Sequence, residues 1–127
     1  MQTSFFRAIL YGWVTVLVLL IVTTVLLALV VRFTNISETT LATISLIIAL
    51  LSLFIGGLFA GLKGEANGIL LGVLTGGGFT FFTFLVQYLG YDAFFTLKQL
   101  AFHLAYILSA VIGSIIGVNL VQQKQTT

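Results

Sequence analysis

Residues 55–76 read IGGLFAGLKGEANGILLGVLTG, with glycines recurring every four residues on both sides of a short charged turn. In lipid, glycines spaced four apart form a flat strip along a helix, and this strip lets two helix backbones approach closely. We therefore interpret the stretch as the tight hairpin at the centre of a small membrane protein. The glycines assigned to helix packing here are Gly56, Gly57, Gly61, Gly68, Gly72 and Gly76.

The composition identifies the class of protein. Apolar residues make up 60% of the 127 residues, charged residues make up 6%, and the mean hydropathy is +1.24, whereas soluble domains carry roughly a quarter charged residues. At about 20 residues per crossing, the chain has room for four spans and little else. We predict an all-α fold, an integral membrane bundle of four transmembrane helices that run up-down-up-down as a single domain, residues 1–127.

The four spans follow from the apolar runs between short polar segments, at about residues 8–31, 40–62, 68–90 and 98–121. The first run follows a basic residue, as in a signal peptide. It is, however, about twice as long as the usual apolar region of a signal peptide, and it ends without a clear small-residue cleavage site. We therefore expect the first run to be a transmembrane helix.

Small residues also line the fourth span, where Ala101, Ala105, Ser109, Gly113 and Gly117 follow one another at intervals of four. Residues spaced in this way share one helix face, so the span carries a continuous small face. In the third span, the glycine strip occupies the first half, and phenylalanines fill the second half. We therefore expect helices packed through Gly, Ala and Ser faces, in a bundle that is narrow at one membrane face and wide at the other.

Residues 51–60 align with residues 108–117, matching Leu, Ser, Ile and Gly. Because the two hairpins would run the same way, the match would correspond to a parallel duplication. The first and third spans show no comparable match. A shared packing rule explains the likeness as well as common ancestry does, and we favour the packing rule.

The basic residues indicate the orientation of the chain. With the N-terminus inside, Arg7, Lys63 and Lys124 lie at the cytoplasmic side, against Arg32 and Lys98 outside. This margin of three to two favours an arrangement with both termini inside. The glycine hairpin then lies at the cytoplasmic face.

The hairpin carries the arrangement G-G-x-x-A-G-x-K-G-x-x-x-G-x-x-x-G from Gly56 to Gly72, between the second and third of four spans. In this respect the chain resembles the YrzE-like small membrane proteins of Gram-positive bacteria, a family of unknown function. The likeness in architecture covers most of the chain, and the motif covers only the hairpin. The resemblance implies four helices in the bacterial cytoplasmic (inner) membrane, and it implies no activity, cofactor or ligand residue.

Motifs for catalysis or cofactor binding are missing from the sequence. The hairpin departs from the phosphate-binding loop because Leu62 precedes Lys63 and Gly64 follows it. The single histidine, His103, has no second ligand at metal spacing, and the chain has no cysteine. We therefore expect no enzymatic activity, no cofactor and no metal. The five basic residues are scattered, so we also expect no nucleic acid partner.

The best candidate for a functional site is a polar group near the outer face. An ionisable residue inside a span is a functional candidate by default. His103, however, lies only about 8 Å deep at about 1.5 Å per residue. We favour a role in joining two helices; a proton or ligand role and an exposed interfacial position are the alternatives. The group consists of Gln87, Gln99, His103 and Tyr106, with Lys98 and Asp92 nearby.

Gly76, Gly77 and Gly78 lie near the middle of the third span. Transporters place broken helices at this depth, where freed backbone groups bind substrate. Close packing against the small face of the fourth span needs no break, and we favour close packing.

Three functions follow from these observations. We favour a non-enzymatic accessory or scaffold subunit in the lipid bilayer, which forms a homo-oligomer or binds a larger membrane-protein partner through small-residue faces in excess of its own needs. The alternative is a small channel or transporter with a path near Gly76, Gly77, Gly78 and His103, although no charged residue lies in mid-span to line it. A membrane-embedded enzyme has the least support, for lack of paired carboxylates, cysteine or a metal cluster.

Overall fold

The computed structural model describes residues 2–64, 67–91 and 96–126, and these ranges contain four helices and no strand. The helices are α1 (Gln2–Phe33), α2 (Glu38–Gly64), α3 (Gly68–Tyr91) and α4 (Leu97–Thr126). Each predicted span lies inside the corresponding helix, and all four helices are long and apolar enough to cross a membrane. The predicted all-α membrane bundle is confirmed.

Polar residues fix the starts of three helices. Ser37 precedes α2, and its hydroxyl accepts a hydrogen bond of 3.2 Å from the Thr40 N–H. Thr96 and Gln99 form a capping box at the start of α4: the Gln99 N–H donates to Thr96 Oγ1 at 3.1 Å, and the Thr96 N–H donates to Gln99 Oε1 at 3.0 Å. Asn67 precedes α3 at a φ of 60°, a conformation that asparagine tolerates better than most residues.

The order of helices around the bundle is α1, α2, α4, α3. The contact between α2 and α4 is the most extensive, whereas in the described residues no Cα atom of α1 lies within 8 Å of a Cα atom of α4. The pairs of residues in contact show that α2 runs parallel to α4 and that α1 runs parallel to α3. Helices that follow each other in the chain are antiparallel, which is the up-down-up-down arrangement.

Glycines bring the backbones of α2 and α4 into direct contact. A Cβ atom on Gly57 would collide with the carbonyl oxygen of Ala110, and a Cβ atom on Gly113 would collide with the carbonyl oxygen of Phe54. Each of these oxygens belongs to the residue three positions before the partner helix's glycine. The contact is therefore reciprocal, and each Cα–H lies where it can donate a weak hydrogen bond to the facing carbonyl.

The same exchange is repeated one turn further along. Gly61 lies against the carbonyl oxygen of Ser114, and Gly117 lies against the carbonyl oxygen of Leu58. Two G-x-x-x-G pairs on parallel helices thus face each other. Any residue larger than glycine at these positions would keep the two backbones apart.

The reciprocal contact also bears on the likeness between residues 51–60 and 108–117. That alignment matches residues 57 positions apart. In the bundle, Gly57 and Gly113 have equivalent environments, and so do Gly61 and Gly117. The two members of each pair are 56 positions apart. Because the sequence match and the structural equivalence differ by one residue, the shared packing rule is the better explanation.

The glycine strip of α3 also lies on α4, on a second face of that helix. The Cα atoms opposite Gly68, Gly72 and Gly76 are those of Ile115, Val111 and Ile107. The contact between α2 and α3 themselves is much smaller. The expectation of a hairpin whose two arms pack tightly on each other is therefore corrected: the arms straddle α4, because each glycine face meets a different side of that helix.

Helix α1 joins the bundle through its first half. A Cβ atom on Gly12 would lie 3.1 Å from Ala60 Cβ and 3.0 Å from Thr75 Oγ1, and the Val16 side chain lies against Gly56. None of the residues 17–33 is buried. Gly12 is a packing residue that the sequence analysis missed, because α1 has no second glycine to make a repeat.

Burial is concentrated at one end of the bundle. We call residues 2–16, 52–64, 67–76 and 107–126 the glycine end, and residues 17–51, 77–91 and 96–106 the open end. Among the side chains that the structure describes, His103 is the one buried residue of the open end. The bundle is therefore tightly packed at one membrane face and loosely packed at the other.

Candidate functional site

Two glutamines join α3 to α4 at the open end. Gln99 Nε2 donates to Gln87 Oε1 at 2.7 Å, and Gln87 Nε2 donates to Gln99 Oε1 at 3.1 Å. Gln99 Oε1 also accepts the Thr96 N–H of the capping box. The Gln99 side chain thus caps the start of α4 and also joins α4 to α3.

His103 lies one turn deeper and is 6% exposed. Its Nδ1 is 2.9 Å from Thr80 Oγ1 on α3, with donor and acceptor set by the imidazole tautomer. The ring stacks on Phe79, with 5.6 Å between centroids and 26° between planes. Tyr106 meets it edge-on, with 4.9 Å between centroids. The contacts of the imidazole thus include a hydroxyl and two aromatic rings.

The four predicted site residues form two neighbouring contacts: the glutamine pair, and His103 with Tyr106. Asp92 lies outside the described residues. Sequence reasoning missed Thr80 and Phe79, whose positions depend on the register between α3 and α4. It also missed Thr96, although T-x-x-Q at residues 96–99 is a readable capping-box signal.

The polar groups in these contacts are hydroxyl, amide and imidazole. Among the described residues, no group of three or more His, Cys, Asp or Glu could hold a metal ion. The arrangement suits hydrogen bonding between helices in a solvent that offers no water.

The glycine triplet of α3 lies in an unbroken helix. Gly76 packs on Ile107 of α4, and Gly78 packs on the indole of Trp13 from α1. At Gly77, no atom of the described residues lies within 4 Å of the position of an added Cβ. Gly76 and Gly78 therefore pack on two different helices, and the helix is not broken at the triplet.

Hydroxyls make further connections within the bundle. Ser109 Oγ donates to the Leu50 carbonyl of α2 at 2.7 Å, and Ser114 Oγ donates to the Gly68 carbonyl of α3. Thr75 is fully buried, and its Oγ1 has no hydrogen-bond partner among the residues that the structure describes. Ala105, the remaining small residue assigned to packing on α4, is half-buried.

Comparison with known proteins identifies the family of the chain. A model of the family described as "Protein of unknown function (DUF3792)" matches residues 5–117. The chain belongs to this family. It is 35% identical over 121 residues to "Uncharacterized membrane protein YrzE" of Bacillus subtilis (strain 168), a match that covers 95% of this chain and 81% of the relative. The resemblance read from the glycine hairpin is therefore confirmed, and the chain is a multi-pass membrane protein. No solved structure matches it.

Proposed function

We propose that the protein acts without catalysis, as a subunit that associates with a second copy of itself or with a larger protein of the bacterial cytoplasmic membrane. The observation that carries the proposal is where uncovered small residues lie. Among the side chains that the structure describes, all exposed Gly, Ala and Ser residues belong to the open end. They are Ala28, Ser37, Ala42, Ser45, Gly90 and Ala101.

Small residues matter because lipid removes the hydrophobic drive between helices. Association in a bilayer relies instead on close van der Waals contact and interhelical hydrogen bonds, both of which small residues allow. The small residues of the glycine end pack against other helices of the same bundle. Fewer small residues are therefore left exposed for a partner than the sequence of the four spans suggested. What remains uncovered is concentrated where α1 and α2 are least packed.

The interior of the glycine end supports a structural role over transport. Glycine contacts close the spaces between α2 and α4 and between α3 and α4. Leu53 and Leu71 are fully buried there. A path through a single copy of this bundle would have to displace these side chains, and no observation favours the channel alternative.

Photo-cross-linking in native membranes tests the proposal. A benzophenone amino acid at Ser45 samples the open end, and one at Leu70, an exposed residue of the glycine end, is the matched control. We expect a protein adduct from Ser45 and none from Leu70. The adduct's mass and peptides separate a second copy from a larger partner. Adducts to lipid alone from both positions would contradict the proposal.

We also propose that both termini face the cytoplasm, which places the glycine end at the inner leaflet. The support is the three-to-two distribution of basic residues. Because the chain has no cysteine, Lys63→Cys and Lys98→Cys are clean reporters. In intact cells, a membrane-impermeant maleimide should label the Lys98→Cys variant and not the Lys63→Cys variant, and the reverse pattern would invert the orientation.

A further inference from the structure

A basic cleft lies between α1 and α2 at the glycine end. It has a volume of about 500 Å³ and is lined by Arg7, Leu10, Tyr11 and Val14 of α1 and by Lys63 of α2. The Lys63 ammonium lies 4.8 Å from the centroid of the Tyr11 ring, a cation–π distance that holds the lysine over the cleft. Two cations from two different helices thus converge on one site.

No described carboxylate neutralises these cations. The chain has three acidic residues, of which Glu65 and Asp92 lie outside the described residues. Glu38 opens α2, 25 residues before Lys63. At about 1.5 Å per residue, that places it about 38 Å away along the helix. Within the described part, the cleft therefore has a net positive charge.

The cleft lies where phospholipid phosphates lie. The apolar run of α1 begins directly after Arg7, and Lys63 is in the last turn of α2. Both cations are therefore at headgroup depth. Deeper along the same face of α1, at spacings of three, four and seven residues from Arg7, come Leu10, Tyr11 and Val14. The site has a charged rim and an apolar wall beneath it.

We propose that this cleft binds an anionic phospholipid from the leaflet at the glycine end. The guanidinium can bind the phosphate through two parallel hydrogen bonds, and the ammonium adds a point charge. An acyl chain then lies along Leu10 and Val14. A soluble phosphate would use the rim and leave the apolar wall unmatched, which is why the geometry favours the lipid. Basic pockets between helices are a known way of selecting anionic headgroups.

The proposal is tested by native mass spectrometry of the full chain in detergent. The protein is given equimolar phosphatidylglycerol and phosphatidylcholine with identical acyl chains. We expect preferential retention of phosphatidylglycerol. Arg7→Gln and Lys63→Gln should each weaken that retention about fivefold, since a basic residue near the surface contributes about that factor in affinity for an anionic lipid.

Matched controls separate a site from general charge attraction. Arg32→Gln and Lys98→Gln remove the same charge at the opposite end of the bundle, and we expect retention to be unchanged. The charge-conserving variant Lys63→Arg should keep most of the binding, which guards against loss through misfolding. Arg7→Lys keeps the charge and loses the paired hydrogen bonds, so its retention should lie between that of the wild type and that of Arg7→Gln.

Three outcomes would overturn the proposal: equal retention of the two lipids by the wild type, equal loss in the opposite-end variants, or displacement of the lipid by millimolar glycerol phosphate. The last result would assign the site to a soluble anion. None of these results depends on whether the open end binds a partner.

Discussion

At the glycine end, the helices meet backbone to backbone, as where Gly57 and Gly113 lie on carbonyl oxygens of the facing helix. At the open end, they meet through long side chains, as in the Gln87–Gln99 pair and the stacked ring of His103. Both ends are in the same solvent and belong to the same four helices. The comparison therefore isolates what different contacts do in lipid.

The difference lies in how strictly each contact sets the distance between helices. A backbone contact cannot lengthen without losing its van der Waals energy, which falls steeply over a gap of 0.5–1 Å. A pair of glutamines can change rotamer and stay bonded. We infer that the glycine end is the rigid platform of the protein and that the open end is the part able to adapt to a partner.

The sharpest way to break this comparison is to add one methyl group at each end. Gly57→Ala places a Cβ on the Ala110 carbonyl oxygen, and no flexible side chain is there to move. We expect a loss of about 3 kcal/mol or more in the free energy of unfolding, at the upper end for overpacked cores. Unfolding in mixed micelles measures it.

Gly77→Ala and Gly90→Ala are the controls, because no atom of the described residues lies within 4 Å of either added methyl group. Alanine is the better helix former by about 1 kcal/mol, so stability should be unchanged or slightly higher. If Gly57→Ala proved as harmless as these two variants, the backbone contact would not be what holds α2 to α4.

A second test measures the contact that replaces glycine at the open end. Gln87→Leu leaves the Gln99 amide without its partner on α3, and we expect a loss of about 1–2 kcal/mol. The double variant with Gln99→Leu should cost less than the sum of the two single variants. A double-mutant cycle gives the coupling energy, and strict additivity would show that the pair does not join the helices.

A third test uses two buried hydroxyls of the glycine end with opposite expected signs. Within the described part of the chain, Thr75 Oγ1 has no hydrogen-bond partner, so Thr75→Val removes an unsatisfied group and should raise stability by about 1 kcal/mol. Ser114→Ala removes a donor to the Gly68 carbonyl and should lower it by a similar amount. Equal destabilisation by both variants would mean that the threonine hydroxyl is paired in the bilayer.

The smallest effect is expected on the lipid-facing part of α1. Val25 and Leu29 are 55% and 50% exposed. Lipid surrounds such side chains before and after the helices associate, so Val25→Ala and Leu29→Ala should change stability by less than about 0.5 kcal/mol. Val16→Ala, at a buried position that packs on Gly56, is the contrasting variant. A large loss of stability in Val25→Ala would show that Val25 makes a contact that is absent from the single copy described above.

The spans could be predicted because membrane thickness fixes the length of an apolar run, and the small faces could be predicted because the helical repeat puts residues four apart on one side. The pairing of faces could not. A short turn makes α2 and α3 neighbours in the chain, yet Gly61 on one arm and Gly72 on the other both face α4. One-dimensional spacing carries no information about which of two small faces meets which.

The residues of the candidate site also fall into those that the sequence could predict and those that it could not. His103 and Gln99 could be found because a polar residue inside a span is conspicuous. Thr80 could not, because its contact with His103 depends on the relative register of two helices. Thr96 was within reach of the sequence, since its helix-capping pattern needs only local spacing.

The most direct test of the central claim is a solid-state NMR correlation spectrum of the protein in lipid bilayers, with the backbone Cα and carbonyl carbons labelled. The backbone contact between α2 and α4 predicts a short-mixing cross-peak between Gly113 Cα and the Phe54 carbonyl carbon, and the α3 contact predicts one between Gly72 Cα and Val111 Cα. If both were absent, while transfer from these glycines to lipid acyl chains appeared, the glycines would face the bilayer and the account would be contradicted.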